Sequence, residues 1–341
     1  MSAPVNTKPV NLALQGGGSH GAFTWGVLDR LLEDGRLTFE GISGTSAGAM
    51  NAVVMVDGMM KGGPDGARQA LHDFWQAVAR AGTASPVRRS ALNILTGDWD
   101  LDNSFSYLFF DVLSRMASPY QINPLDLNPL RDLVEETIDF ERVHACEDIK
   151  LFISTTNVQT GRVKVFGCGE ISADVLMASA CIPYLYQAVE IEGVPYWDGG
   201  YMGNPALWPF FYECGTEDLL LVQINPMERM ETPQTAREIY NRMNEITFNA
   251  SLMREFRAMD FVSRLVEEGK LSADDYKQIR LHLIHGDEPL KALSASSKIN
   301  SEWAFLTHLR DIGRAAAEDW LEAEARHVGK RASVDLKELY A

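Results

Sequence analysis

The chain is poor in the features that would take it out of the ordinary globular class. It has four cysteines, Cys146, Cys168, Cys181 and Cys214, with no C-x-x-C spacing and no histidine at zinc-ligand distance. Neither a disulfide framework nor a metal site is expected, and reduced thiols in a cytoplasmic protein are the reading. Positive charge is also short: 31 Lys and Arg stand against 47 Asp and Glu, a net charge of -16. That balance argues against a surface that tracks nucleic-acid phosphates and against an electrostatic hold on anionic membranes. No nucleic-acid partner is expected, and peripheral membrane contact would have to be apolar. No run of roughly 20 apolar residues offers a bilayer span, and Met1–Pro9 lacks the basic and apolar regions of a secretory signal. There is no internal repeat and no low-complexity tract.

What is present suffices for a substantial core, with 46% hydrophobic and 23% charged residues over 341 positions. Val10–Gln15 reads as a short strand that stops at Gly16-Gly17-Gly18-Ser19-His20-Gly21. Phe23, Val27 and Leu31 then fall at helical spacing, and Gly35 closes that helix. A second strand ends near Ile42, a serine turn follows, and a helix runs from Ala47 to about Met60 into a break at Lys61–Gly66. A further helix covers Ala67 to about Arg80. Two successive strand-turn-helix units predict a parallel sheet covered by helices.

Asn128-Pro129 starts a helix as cap and first residue. Leu151–Val158 and Arg162–Phe166 flank Gln159-Thr160-Gly161 as a hairpin. A short helix over 172–180 precedes strands at Val189–Ile191 and Val194–Trp197, and Leu219–Ile224 has the unbroken apolar character of a buried parallel strand. The remainder is mainly helical, over 235–268 and 301–327, around a strand at 280–284. Between 84 and 127 the periodicity loosens, and Trp99, Phe105, Tyr107, Phe109, Phe110 and Tyr120 lie among few charges. This stretch reads either as a lid or lipid-facing surface, or as an insertion packed on the core or used in a homo-oligomer. The expected architecture is α/β, a three-layer sandwich with a mainly parallel central sheet flanked by helices. Its catalytic unit spans 8–228, including the 84–127 insertion, and a mainly helical elaboration over 229–341 packs on it.

The candidate chemistry centres on Gly44-Thr45-Ser46-Ala47-Gly48. A serine at the tip of a sharp strand-to-helix turn is held at strained backbone angles, and the residues two before and two after it must lack a side chain. The following helix points its N–H groups and positive dipole end at the serine. A serine hydroxyl also needs a base, and the oxyanion it creates needs preorganised N–H donors. Gly16, Gly17 and Gly18, directly after the first strand, leave such donors bare.

That loop also spells Gly16-x-Gly18-x-x-Gly21, a dinucleotide-binding fingerprint. The fingerprint wants an acidic residue after the second strand, whereas Glu40 stands inside or ahead of it. For the base there are two options. A Ser-His-Asp triad would draw on His282, His285, His308 or His327, of which His285, just past a strand, is best placed. Alternatively Asp198 ends a strand and is followed by Gly199 and Gly200, although Asp-Gly-Gly alone reads as a turn.

Taken together, the glycine loop, the Gly-x-Ser-x-Gly turn and Asp198-Gly199-Gly200 about 150 residues later resemble the patatin-like phospholipase family. Ser179-Ala180-Cys181-Ile182-Pro183 and Asn204-Pro205 also look like its pattern, and the resemblance spans roughly residues 10 to 225. It implies a lipid acyl hydrolase of phospholipase A or carboxylesterase type that works through an acyl-enzyme, needs no cofactor or metal, and acts on a lipid or acyl-ester substrate. By position Ser46 matches the nucleophile, Asp198 the base and Gly16 to Gly18 the oxyanion loop, supported by His20, Gly21, Gly44, Gly48, Gly199 and Gly200. One departure stands out: the family usually carries Arg or Lys between the last two loop glycines, where this chain has His20. A triad esterase, a dinucleotide-binding α/β protein and a binding protein without turnover are the alternatives.

Overall fold

The computed structural model describes residues 7–83, 88–102, 104, 116–272 and 275–340. Phe105, Tyr107, Phe109 and Phe110 of the expected insertion lie outside the described residues. Eight strands form one sheet: β1 (Lys8–Leu14), β2 (Leu37–Gly44), β3 (Lys150–Asn157), β4 (Val163–Gly167), β5 (Val189–Ile191), β6 (Val194–Asp198), β7 (Asp218–Gln223) and β8 (Arg280–His285). They are ordered β5-β6-β3-β2-β1-β7-β8, with β4 paired to β3. The five strands from β3 to β8 in that order run parallel, while β4, β6 and β5 are antiparallel additions.

Side chains on the central strands alternate between two cores. Leu12 and Leu14 of β1 and Leu220 and Val222 of β7 enter one; Ala13, Leu219 and Leu221 enter the other. That alternation with both faces covered explains the unbroken apolar runs, since no side of a central strand meets water. Five helices frame the site: α1 (Gly21–Asp34), α2 (Ala47–Gly82), α3 (Ala173–Ser179), α4 (Ala236–Glu267) and α5 (Trp303–Ala323). Phe23, Val53 and Phe305 of α1, α2 and α5 fill the first core, and Leu252, Phe256 and Met259 of α4, at helical spacing, fill the second. The result is a mixed α/β protein with helices on both faces of a mostly parallel sheet.

Local signals account for most of the element ends. Ser172 caps α3 through the Val175 N–H, and Thr235 caps α4 in a reciprocal box with Glu238. The break expected at Lys61–Gly66 is there: Gly62 and Gly63 leave helical angles ahead of Pro64, so α2 is two helical segments joined across a kink. A six-residue helix at Trp208–Glu213, which the aromatic run concealed, starts with Pro209 in its first turn. Glu40 lies within β2, where its carboxylate accepts from the Gly215 and Thr216 N–H groups. Its side chain is thus committed to the opposite end of the strand from the glycine loop.

Residues beyond 228 extend the same architecture. β8 pairs in parallel with β7, and α5 crosses α1 so closely that a Cβ on Gly26 would strike the Arg310 backbone. The segment 294–300 in turn holds the base of the aromatic-rich stretch: Ser296 accepts from the Leu101 N–H at 2.9 Å, and Asn300 donates to the Trp99 carbonyl at 2.9 Å. Trp99 itself packs on Phe305 and His308.

Candidate active site

The register of β3 explains how two residues so distant in sequence meet. Ile153 pairs with Gly44 of β2 on one edge and with Phe166 of β4 on the other. Two residues later Thr155 pairs with Lys164 on the β4 edge and with Asp198 of β6. Asp198 therefore occupies the edge that β2 has just left. β2 ends, the chain turns at Ser46, and the last residue of the antiparallel β6 arrives in the gap. Both residues are buried, Ser46 at 7% exposure and Asp198 at 1%, and the Ser46 hydroxyl is near enough to the Asp198 carboxyl to favour its ionised form.

Ser46 has φ 54° and ψ -122°, a region that a non-glycine residue holds only when its surroundings over-determine it. Those surroundings are visible. The Ser46 N–H donates to Ser179 Oγ at 2.8 Å, and the Ser179 hydroxyl donates to the Ser154 carbonyl at 2.8 Å. Thr45 Oγ1 donates to the Gly203 carbonyl at 2.7 Å. A Cβ on Gly48 would collide with the Leu14 carbonyl, so the turn tolerates nothing larger there.

Asp198 is pinned with equal care. Its N–H donates to the Cys181 carbonyl at 2.8 Å, its carbonyl accepts from Thr156 Oγ1 at 2.8 Å, and its Oδ1 accepts from the Gly200 N–H at 2.7 Å. Burial pushes its carboxyl up to about 7, against the Gly200 N–H, the Ser46 hydroxyl and the charge of Lys298, all of which favour the ionised form. A carboxylate with that proton affinity can both exist near neutral pH and accept a proton there.

The glycine loop lies flush against this pair: a Cβ on Gly16 would stand 2.8 Å from both Ser46 Cβ and the Thr45 carbonyl. One expectation is corrected here. The Gly16 N–H already donates to Asn204 Oδ1 at 2.7 Å, so it is not free for an oxyanion. The N–H groups of Gly17 and Gly18 have no hydrogen-bond partner among the described residues. His20 is buried at 3% exposure and neutral, its ionisation pushed down to about 3 by burial and by Lys298. Its Nε2 sits 2.7 Å from Ser297 Oγ.

The alternative histidines are elsewhere. Gly44, Leu14, Val222 and Ile284 form one row across β2, β1, β7 and β8. His285, next along β8, therefore stands three strand spacings from the serine turn, roughly 14 Å at about 4.8 Å each. His282 is buried against Asp218 at 2.9 Å, His308 stacks on Trp99, and His327 pairs with Glu324. The fixed partners Ser154 and Asn225, and the cation Lys298, carry no spacing signal of their own, and Ser179 stands out only as part of the Ser179–Pro183 stretch.

A buried serine at a strained strand-to-helix turn thus faces a buried carboxyl beside bare amides, at one end of a mostly parallel sheet in a mixed α/β protein. The model of the patatin-like phospholipase family matches residues 12–211, more than half of the chain, and the protein belongs to that family. Membership implies a hydrolase acting on lipid esters. Among relatives, the uncharacterized protein YjjU of Escherichia coli (strain K12) is 23% identical over 316 residues, covering 87% of this chain and 75% of its own. Among solved structures, VipD from Legionella pneumophila aligns at 16% identity with a TM-score of 0.38, over 91% of this chain and 67% of that one. Among the described residues no helix is long and apolar enough to cross a membrane.

Proposed function

We propose that the protein hydrolyses carboxylic esters of lipids through a Ser46–Asp198 dyad and an acyl-enzyme. Asp198 accepts the Ser46 proton, the Ser46 oxygen attacks the ester carbonyl, and the N–H groups of Gly17 and Gly18 hold the resulting oxyanion. The alcohol leaves with the proton from Asp198. Water then attacks the acyl-enzyme by the same route in reverse, and the fatty acid departs. The observation that carries this reading is the buried hydroxyl–carboxyl pair at the gap between β2 and β6, with no histidine among the described residues interposed.

Access for a lipid chain has a physical basis in the stretch beside the site. Met116, Leu125 and Leu127 are 80%, 79% and 68% exposed. They flank a segment tied to the loop after α3, where the Tyr120 hydroxyl accepts from the Ala188 N–H at 3.2 Å and Gln187 donates to the Asn123 carbonyl at 2.8 Å. Apolar side chains at this density suit contact with an acyl chain or a lipid surface, where net negative charge offers no help. The test is covalent labelling by a fluorophosphonate, read beside hydrolysis of phospholipids, neutral glycerides and short-chain esters. The wild type should label and hydrolyse at least one class, and Ser46→Ala should do neither. A wild type that resists the probe and cleaves no ester would leave a binding protein on a hydrolase fold.

A further inference from the structure

The glycine loop that borders Ser46 carries one ionisable side chain, His20, and it is neutral. Charge nevertheless reaches the loop from a segment far beyond the residues that the family model matches. Two successive residues of the stretch Ala295–Ile299, Ser297 and Lys298, clamp the loop. The Ser297 hydroxyl donates to the Ser294 carbonyl at 2.8 Å, so it accepts from His20 Nε2–H. Next to it, Lys298 closes over Gly18, whose φ of 60° and missing side chain let the Lys298 carbonyl approach so closely that a Cβ would collide with it.

The Lys298 ammonium points back along the same loop. Its Nζ donates to Asn225 Oδ1 at 2.8 Å, and Asn225 Nδ2 donates to the Gly16 carbonyl at 2.7 Å. Its Nζ also lies 5.9 Å from the ring of Phe248, which covers Gly200 beside Asp198. The charge is felt on both sides of the site, favouring the ionised form of Asp198 and the neutral form of His20.

We propose that Lys298 is the cation of the oxyanion site: a positioning residue that acts through Gly18, Asn225 and its own field on the amides that receive the oxyanion and on Asp198. A fixed charge aimed where negative charge develops lowers the barrier without reorganisation, and a low-dielectric setting amplifies it. The proposal rests on the dyad reading above, and it assigns a part of the active site to the C-terminal third of the chain.

The surroundings make the charge titratable. Burial brings Lys298 down to about 8, Glu245 and Asp198 favour its charged form, and Arg229 opposes it. Glu245 is itself held by Arg229 at 2.8 Å and Arg242 at 3.1 Å. Loss of the Lys298 proton should therefore shape the alkaline limb of the rate profile.

The experiment compares wild type, Lys298→Met and Lys298→Arg on a neutral soluble ester, p-nitrophenyl butyrate, across pH, with thermal unfolding followed over the same pH range. Lys298→Met should lower kcat by roughly 10- to 100-fold, with KM changed less than about threefold, since the lost interaction belongs to the transition state. Its acid limb should move to higher pH, because Asp198 loses a cation that favours its carboxylate. Lys298→Arg should restore most of kcat and abolish the alkaline limb near 8, because a guanidinium stays charged. Wild-type kcat and an unmoved acid limb in Lys298→Met would overturn the proposal. So would equal loss in both variants with unmoved limbs, which is the signature of a purely structural residue. Should the wild type cleave no ester, the dyad reading fails separately. The pH dependence of unfolding still decides, since Lys298→Met must shift the Asp198 midpoint upward and an unmoved midpoint contradicts the proposal.

Discussion

Two buried aspartates at opposite ends of the sheet show what a neighbourhood does to one side chain. Asp218 opens β7 and is 2% exposed; Asp198 closes β6 and is 1% exposed. Burial pushes both upward, yet they end far apart. At Asp218, hydrogen bonds from His282 at 2.9 Å, from Arg280 at 2.8 Å and from the Gly329 N–H at 2.9 Å hold the carboxyl well below the usual carboxylate range. At Asp198 the Gly200 N–H, the Ser46 hydroxyl and the charge of Lys298, whose ammonium is bonded to Asn225, favour the ionised form, and the carboxyl still rises to about 7. A carboxylate in direct contact with a guanidinium and further hydrogen-bond donors is an anchor that cannot take up a proton near neutrality. One left without a contacting cation is poised to take one. Burial alone does not set where a carboxyl titrates; the presence or absence of an ion pair does.

The contrast can be broken from either side. Removing the anchor should have the larger effect on stability: Asp218→Ala leaves the Nε2–H of the fully buried His282 without its acceptor and Arg280 with Glu217 alone. We expect a loss of about 3 kcal/mol, measured by urea unfolding, with kcat per folded molecule unchanged. At Asp198 the sign reverses. The folded carboxyl retains a proton up to about pH 7, whereas the unfolded chain gives it up near 3.8. The native state thus holds the extra proton between those values, and wild-type stability drains away as pH rises through that window and stays low above it. Asp198→Asn does not titrate. It should match wild type below pH 4 and be the more stable of the two at pH 8, read from unfolding at the two pH values. A variant less stable than wild type at pH 8 would mean that the Asp198 carboxylate is held by partners not identified above.

The same contrast explains what could be read from the chain beforehand. The strand before Gly16, the Gly-x-Ser-x-Gly turn, the hairpin around Gly161, the helix start at Asn128-Pro129 and the strand expected at Leu219–Ile224 are all governed by neighbours a few residues away. Their signals survive in one dimension. Asp198 was legible only because Gly199 and Gly200 follow it and because the other motifs gave it a partner. Nothing local distinguishes the anchor, since Asp218 opens an apolar strand and its partners Arg280 and His282 arrive from β8.

The less legible parts of the site are likewise contacts between distant segments. Gly16 gives its N–H to Asn204, Ser46 gives its N–H to Ser179, and Lys298 reaches the loop from a stretch, Ser294–Ile299, with no periodicity and no motif. The helix at Trp208–Glu213 was hidden for another reason: six residues with proline and aromatics carry too little periodic signal to separate a helix from an apolar loop.

The central claim is that a carboxylate, and not an imidazole, takes the proton from Ser46. It is tested most directly by measuring kcat for Asp198→Asn and His285→Ala side by side on whichever ester the wild type cleaves fastest. The account predicts a fall of roughly two to four powers of ten for Asp198→Asn and a rate within about twofold of wild type for His285→Ala. Full turnover in Asp198→Asn together with collapse in His285→Ala would contradict it.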